Sequence, residues 1–135
     1  MAVITEKFSI TSKGEDIVDI TSKIVEFIRN LDIENALLNI YVKSENSSLI
    51  VSEYEIMKKT DIFSLLKSLT NSPSKIDISE NDLKINASTK AKFLSNSLTI
   101  PVIAKRIQIE DYQKIFVLDF SYNISICDII ISVVN

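Results

Sequence analysis

Hydrophobic and polar residues alternate along much of this chain, and the alternation is clearest between Ala36 and Glu53. One face of the first extended segment carries Ala36, Leu38, Ile40 and Val42, and residues 48–53 repeat the period of two. The connection between these arms, residues 44–47, contains only small or polar residues that tolerate turn backbone. The pattern predicts a β-hairpin over residues 36–53 that presents polar side chains at the end of a sheet, where a site would lie.

The same period of two predicts several further strands, at residues 3–10, 16–20, 98–102, 112–120 and 124–134. Pro101 indicates that its strand lies at a sheet edge or ends there, because proline cannot donate a ladder hydrogen bond. Residues 124–134 are almost continuously apolar, which predicts a central strand covered on both faces.

A helical period predicts two to three helices. The first carries Ile24, Phe27, Ile28 and Leu31 on one face, is capped by Thr21 or Ser22 and ends near Asp32. A second is predicted from residue 60 or 61 to about residue 71 and a short third within residues 86–94, with a polar loop at residues 72–82. The chain is therefore predicted to be one α+β domain, residues 1–135, built on a mostly antiparallel mixed sheet.

The net charge and the length of the apolar runs limit the classes of partner that this protein is expected to have. A formal charge of −3, with isolated basic pairs, gives no footprint for a phosphate backbone, so nucleic acid is not expected. No apolar run reaches the roughly 20 residues that span a bilayer, and Glu6 and Lys7 interrupt the N-terminal segment, so neither a membrane nor secretion is expected. The single cysteine, Cys127, fits a reducing compartment, and we expect a cytoplasmic protein.

Most common catalytic designs are excluded by composition. The chain has no histidine, which rules out Ser-His-Asp triads and histidine-ligated zinc, and its only glycine is Gly14, too few for a phosphate-cradling loop. Cys127 lies in an apolar strand and is interpreted as an inert buried thiol. Glu53 and Glu55 are interpreted as solvated residues rather than an acid/base pair. No catalytic residue, metal or cofactor is predicted.

Three stretches of the chain carry a family resemblance. Ser44-Glu45-Asn46-Ser47-Ser48-Leu49 stands where the YjbQ-like family has His-Thr-Ser-Ala-Ser-Leu. Ser88 stands where that family has a second histidine, ahead of residues 95–102, which keep the frame of Gly-Thr-Ser-Leu-x-x-Pro-Val. Residues 105–115 resemble Gly-Arg-Ile-x-x-Gly-x-Trp-Gln-x-Ile, with Arg106, Gln113 and Ile115 matching, and Asp119 follows at a family Glu position.

The resemblance implies a small α+β homotrimer with a polar pocket at the subunit boundaries, in a family linked to thiamin phosphate synthase activity. The pocket positions that it transfers to this chain are Ser44, Ser48, Glu53, Ser88, Arg106, Gln113, Asp119 and Asp128. The family's histidines have become Ser44 and Ser88, and its paired arginines fall on Cys127 and Asp128. We therefore expect a divergent member, non-catalytic or chemically altered, that acts as a binding or structural protein for an unknown small molecule.

Two alternatives stay open at this point. A thiamin phosphate synthase-like enzyme could still work if Arg106, Ser48 and Glu53 position a substrate that needs little acid/base help. A subunit recruited by another protein would expose an apolar patch outside the trimer contact. If the pocket positions converge, the loss of donors beside Glu53 and Asp119 predicts a preference for neutral or cationic ligands over phosphate, unless Asp128 points to solvent or pairs with a lysine.

Overall fold

The computed structural model describes residues 2–59, 63–64, 87–92 and 94–135. Its elements in chain order are β1 (Val3–Ser12), β2 (Asp16–Asp19), α1 (Thr21–Arg29), β3 (Ala36–Lys43), β4 (Ser47–Glu53), α2 (Tyr54–Lys59), β5 (Ser97–Ile103), β6 (Arg106–Ile107), β7 (Gln113–Asp119) and β8 (Ser125–Val134). Residues 87–91 are also helical. Among the described residues, no helix is both long and apolar enough to cross a membrane.

The strands form two antiparallel sheets. The larger is five-stranded in the order β1-β8-β3-β5-β6, and the smaller is three-stranded in the order β2-β7-β4. All the ladders in both sheets are antiparallel. The predicted α+β class with a mostly antiparallel sheet is confirmed, with β8 an interior strand of the larger sheet and β7 the middle strand of the smaller.

The predicted hairpin of residues 36–53 is wrong in its pairing, although both of its strands exist. β3 pairs with β5 and β8 in the larger sheet, whereas β4 pairs with β7 in the smaller one. The connection at residues 44–46 therefore carries the chain from one sheet to the other. The reason is burial: Ser47, Ser48 and Leu49 are all buried, so β4 needs covering on both faces, which a half-exposed hairpin arm does not receive.

The main core lies between the two sheets and is closed by α1. Alternate residues of the larger sheet point inward, including Leu38, Ile40, Ile129 and Ile131. The smaller sheet meets them with Leu49, Ile115 and Val117, and α1 contributes Ile24, Phe27 and Ile28. The i, i+3, i+4 spacing predicted for that helix is confirmed, because these side chains share its buried face.

A second, smaller core covers the opposite face of the smaller sheet. Phe116, Leu118 and Phe120 point into it from β7 and the residue after β7, and helical residues pack against them, namely Met57, Ala87 and Ala91. β7 is consequently buried on both faces, which the alternating pattern of residues 112–120 did not predict.

β8 is less covered than its sequence predicted, whereas β7 is more covered. Its central place is confirmed, but its predicted covering on both faces is wrong within one chain. Cys127, Ile129, Ile131 and Val133 are buried, whereas the other face is open and leaves Ile126 73% exposed.

The helix ends also differ from the sequence expectations. No side-chain cap hydrogen bond is made at the start of α1, because the Thr21 hydroxyl instead accepts from the Ile115 N–H and donates to Asp19. α2, from Tyr54 to Lys59, was not predicted, and it ends before the helix predicted from residue 60 or 61. Residues 63–64, within that predicted helix, are helical. Most of that predicted helix and the predicted loop at residues 72–82 lie outside the described residues.

Two turns use backbone that most residues avoid. Gly14 has φ +89°, and a Cβ there would lie 3.0 Å from the carbonyl of Tyr122, so the turn after β1 requires glycine. Ala104 and Lys105, with φ of +51° and +62°, form the two-residue link between β5 and β6. The prediction that the strand of Pro101 lies at a sheet edge or ends there is wrong, because β5 lies between β3 and β6 and continues to Ile103. The ladder with β6 covers only Val102 and Ile103, so the missing N–H of Pro101 interrupts no bond in that ladder.

Candidate functional site

A groove of about 750 Å³ lies where β3 turns into β4, beside the short helix at residues 87–91. Ligand pockets for small molecules fall in the range of roughly 300–1,000 Å³. Its lining is mostly polar and comprises Tyr41, Lys43, Ser44, Glu45, Ser47, Ser88, Ala91, Lys92, Leu94, Ser95 and Asn96. The groove is large enough for an organic molecule and offers it hydroxyl, amide and ammonium groups.

Local hydrogen bonds shape the floor of the groove. The Asn46 N–H donates to Ser44 Oγ at 3.2 Å, and the Ser47 hydroxyl donates to the same atom at 3.1 Å. A serine side chain that accepts from the backbone two residues ahead is a common way to fix a tight turn. Ser44 is thereby held at the corner between the two sheets.

The opposite wall is held against this corner by bonds from both strands. The Val42 N–H donates to the Asn96 carbonyl at 2.9 Å, and the Leu49 N–H donates to the Ser95 carbonyl at 2.7 Å. The buried Ser48 hydroxyl donates to the Ala91 carbonyl. The segment that carries Ser88 and Lys92 is therefore fixed relative to Ser44.

A buried polar cluster lies beneath the groove. Asp119 is 1% exposed and accepts hydrogen bonds from the Ser121 N–H at 3.1 Å, the Ser121 hydroxyl at 2.7 Å and the Ser125 hydroxyl at 2.8 Å. The Ser47 hydroxyl lies 3.3 Å from the other side of this carboxylate and 3.3 Å from the Cys127 sulfur. Hydroxyl and amide donors therefore compensate the burial of this carboxylate.

The structure brings some of the sequence-predicted positions together. Ser44 and Ser88 face the same groove, and Asp119 lies behind Ser47 at its floor. Ser48 is buried and supports the wall without lining the groove.

A second group lies at the far end of the smaller sheet. Glu53 is paired with Gln113 across β4 and β7, and Ser47 is paired with Asp119 at the other end of the same ladder. At about 3.3 Å per residue, the two ends are roughly 20 Å apart. Gln113 and Arg106 share a separate cleft of about 240 Å³. Within one chain, Glu53, Gln113 and Arg106 are therefore distant from Ser44.

Asp128 lies apart from both groups, on the open face of the larger sheet. It accepts a hydrogen bond from the Ser9 hydroxyl at 2.7 Å and pairs with Lys7 at 3.7 Å. The Ser9 hydroxyl, with the charges of Lys7 and Lys43, holds the pKa of this carboxyl below 3.8, against a smaller opposing effect of desolvation. Its register partner on β3 is Lys43, which also lines the groove.

Two basic lining residues, Lys43 and Lys92, were missed from the sequence. Lys43 is the last residue of β3 and lies on its outward side. Lys92 follows Ser88 by four residues, and this spacing places Ser88 and Lys92 on the same side of the short helix. The i, i+4 spacing of Ser88 and Lys92 was the available signal. Among the described residues, no group of three or more His, Cys, Asp or Glu side chains is placed to hold a metal ion.

The chain resembles proteins of known structure along nearly its whole length. A YbjQ-like protein of unknown function from Sulfolobus solfataricus superposes with a TM-score of 0.81 at 21% identity, covering 99% of each chain. A YjbQ/UPF0047 protein from Clostridium acetobutylicum superposes with a TM-score of 0.80 at 14% identity, covering 96% of this chain and 99% of the other. At these identities the likeness establishes the fold.

Sequence comparison extends this to the family. A UPF0047 protein from Methanothermobacter thermautotrophicus is 29% identical over 119 residues, which cover 86% of this chain and 82% of the relative. A UPF0047 protein from Archaeoglobus fulgidus is 26% identical over 110 residues, covering 82% and 85% respectively. The family model described as UPF0047 protein YjbQ-like matches residues 6–133. This chain, with serines where the resemblance expects histidines, belongs to the YjbQ-like UPF0047 family.

Proposed function

We propose that this protein is a homotrimer that binds a small polar molecule in the groove beside Ser44 and does not synthesise thiamin phosphate. The observation that carries the proposal is that the groove is continuous with the open face of the larger sheet. Tyr41 and Lys43 line the groove and also belong to that face. A second copy seated on the face would therefore form a further wall of the groove.

The open face has the composition of a surface that another copy covers. Its rows, read across β1, β8, β3 and β5, are Val3, Val134, Leu37 and Pro101, then Thr5, Ser132, Asn39 and Thr99, then Lys7, Ile130, Tyr41 and Ser97. Leu37 is 51% exposed in the single chain, and Val3 is 60% exposed. An exposed apolar row on a sheet face is typical of an interaction surface, and identical copies most often assemble with closed symmetry.

The resemblance to the YjbQ-like family supplies the number of copies, which is three. It also implies a pocket at the subunit boundaries, and such a boundary could bring the group around Arg106 and Gln113 of one copy towards the groove of another. We also propose that the protein is located in the cytoplasm, because the free, buried thiol of Cys127 is typical of proteins in a reducing compartment.

The chemistry at the groove favours binding over catalysis. The chain has no histidine to transfer protons near neutral pH. Two described carboxylates lie at the groove: Glu45 is exposed on its lining, and Asp119 beneath the floor is 1% exposed with its oxygens occupied by hydroxyl and amide donors. An exposed carboxylate such as Glu45 is a weak base near neutral pH. A base whose lone pairs are already engaged and that does not reach the groove is poorly placed to take a proton from a substrate.

Light scattering coupled to gel filtration tests the oligomer. We expect a mass of three chains for the wild type, since each chain is 15.2 kDa, and a single chain for Leu37→Lys, because a charge would be buried in the interface. Ser22→Lys is the control, since Ser22 is exposed on α1, which packs on the main core and not on the open face of the larger sheet. A wild-type monomer at micromolar concentration would overturn the proposal.

An activity assay tests the absence of chemistry. The purified trimer is expected to form no thiamin phosphate above background from the pyrimidine and thiazole precursors. Activity that survives repurification and disappears in Ser44→Ala would instead establish the enzymatic alternative.

A further inference from the structure

We propose that a second pocket, between β1 and α1, binds the organic ammonium group of a small molecule, and that the Lys23 ammonium competes with that group inside the protein. The pocket has a volume of about 190 Å³. Its lining includes two phenylalanines, Phe8 and Phe27, two glutamates, Glu6 and Glu26, and Lys23. It shares no lining residue with the groove at the corner between the two sheets, so this site is independent of the proposed function.

Glu6 places a carboxylate in a core-facing position of β1. Residues directly opposite each other in an antiparallel ladder share a face of the sheet, and Glu6 lies opposite Ile131, which is buried in the main core. Phe8 follows two residues later and has the same orientation. β1 is an edge strand of the larger sheet, and Glu6 is exposed there. This acid therefore stands in an otherwise apolar row and is accessible to a solute.

The opposite wall of the pocket is one stripe of α1 and the residue that follows it. Lys23, Glu26, Phe27 and Asn30 have the spacing i, i+3, i+4 and i+7, which brings side chains to the same side of a helix. Phe27 is buried in the main core, whereas Lys23 and Glu26 are exposed. Each wall therefore contributes one carboxylate above an apolar floor.

The charge of the lining favours a cation. Glu6 and Glu26 carry two negative charges and Lys23 carries one positive charge, so the lining has a net charge of −1 near neutral pH. Across the described parts of the chain, no ion pair within 4 Å joins Lys23 to either glutamate. Both carboxylates therefore remain available to a cation that enters the pocket.

The contact between Lys23 and Phe8 shows that this pocket accepts an ammonium group. Lys23 Nζ lies 5.1 Å from the centroid of the Phe8 ring, within the roughly 6 Å over which a cation is attracted to an aromatic face. Phe8 packs against the main core and is only half-buried, so part of its ring stays accessible. Since the exposed Lys23 has a flexible four-carbon stem, an external ammonium group can take its place over the ring.

The size of the pocket limits what enters it. Pockets that enclose a whole organic ligand measure roughly 300–1,000 Å³, and this pocket, at about 190 Å³, is smaller. It therefore holds one head group while the rest of the molecule stays in solvent. Recognition of quaternary ammonium groups by aromatic faces is an established use of the same attraction, and the two carboxylates add to it here.

Nuclear magnetic resonance titration of the intact protein, at constant ionic strength, tests the site. The probe is choline, and the control probe is its neutral isostere dimethylbutanol, in which a carbon atom replaces the ammonium nitrogen. We expect saturable shifts of the Phe8, Glu26 and Phe27 amides with choline. The isostere should bind about tenfold more weakly, because it loses both the attraction to the ring and the attraction to the carboxylates.

Variants separate the ring, the acids and the competing lysine. Phe8→Leu should weaken choline binding about two- to fivefold, since it removes the aromatic face. Glu6→Gln with Glu26→Gln should also weaken it, because the attracting charges are lost. Lys23→Ala should strengthen choline binding roughly threefold, since it frees the ring and removes a like charge. Arg29→Ala is the matched control for that gain, because it removes the same charge from α1 at a residue that does not line the pocket.

Three results would overturn the proposal. Equal affinities for choline and its isostere would mean that the pocket does not select an ammonium group. A gain in Arg29→Ala as large as that in Lys23→Ala, or no gain in Lys23→Ala, would refute Lys23 as the competitor. The absence of saturable shifts in the wild type would remove the site, even where Lys23→Ala binds choline. The mass of the wild type in light scattering enters none of these results, so the proposed trimer is tested separately.

Discussion

The two central strands, β7 and β8, are both strongly apolar but occupy opposite environments. β7 is covered on one side by the main core and on the other by helical residues, so its residues from Ile115 onward are buried. β8 faces the main core on one side only, and on its second face Ile126 is exposed and Ile130 is half-buried.

This difference shows that an apolar run reports how much covering a strand needs but not which molecule supplies it. Both faces of β7 are covered within one chain, whereas the outer face of β8 would be covered only by a second copy. The sequence prediction of a strand covered on both faces is wrong for the single chain, but it describes what β8 would become in the proposed trimer. The experiments below compare the two strands directly.

The largest effect is expected from removing a buried side chain of β7. Leu118 is fully buried in the smaller core. Leu118→Ala should lower the free energy of unfolding by about 2–5 kcal/mol, because it removes apolar contacts and leaves a cavity that the sheet cannot close. Urea denaturation followed by circular dichroism measures it, and the loss should be the same at every protein concentration.

The matched variant on β8 is Ile130→Ala, which removes a side chain of similar size from the open face. Its effect should be small in dilute solution and should grow with protein concentration, because binding between copies stabilises only the folded chain. A concentration-independent loss as large as that of Leu118→Ala would mean that β8 is already covered in one chain and would remove the contrast.

The next largest change in the free energy of unfolding is expected from the aspartate of β7, with the aspartate of β8 as its control. Asp119 of β7 is buried among hydroxyl donors, so Asp119→Asn replaces an acceptor-only group with one that also carries donors and leaves hydroxyls unpaired. We expect a loss of about 2 kcal/mol in the free energy of unfolding. Asp128→Asn on the open face of β8 is the control and should leave the urea midpoint nearly unchanged. Equal effects of the two variants would contradict the assignment of a structural role to Asp119.

Much of the fold could be predicted because hydrophobic residues in the sequence recur with the periods of strands and of a helix. The strands around Ile40 and Ile10 and the buried face of α1 follow directly from alternation and from the helical spacing. The entry of β3 and β4 into different sheets could not be predicted, because the alternation that defines two strands does not state which sheet each one joins. The predicted cap of α1 was wrong for a related reason, since the Thr21 hydroxyl accepts a hydrogen bond from the Ile115 N–H, which is distant in sequence.

The candidate site was predictable only in part. Ser44 and Ser88 were found through the family resemblance, and the structure places both in one groove. Lys43 and Lys92 were missed because exposed lysines are common on strands and helices, and only the folding of their two segments against each other makes them neighbours. The resemblance also transferred Arg106, which within one chain lies in a separate cleft.

The smallest effect, and the most local measure of the open face, is the ionisation of Asp128. Its pKa lies below 3.8 chiefly because the Ser9 hydroxyl donates to the carboxylate, with Lys7 and Lys43 adding favourable charge. Since the folded pKa is depressed, the associated stabilisation is present above the unfolded value and is lost as the pH falls through the folded pKa. Ser9→Ala should raise this pKa towards 3.8, as measured by carbon-13 resonance of the carboxyl group.

The same carboxyl group reports whether a second copy covers β8. Covering would add desolvation, which disfavours the charged form and raises the pKa of Asp128. The monomeric Leu37→Lys variant should therefore show a lower pKa for Asp128 than the wild type, and its new charge lies three rows away along β3, roughly 20 Å and beyond the screening length at physiological salt. Identical values in the two proteins would place the contact between copies away from this end of β8, and an unchanged pKa in Ser9→Ala would refute the hydrogen bond as its main cause.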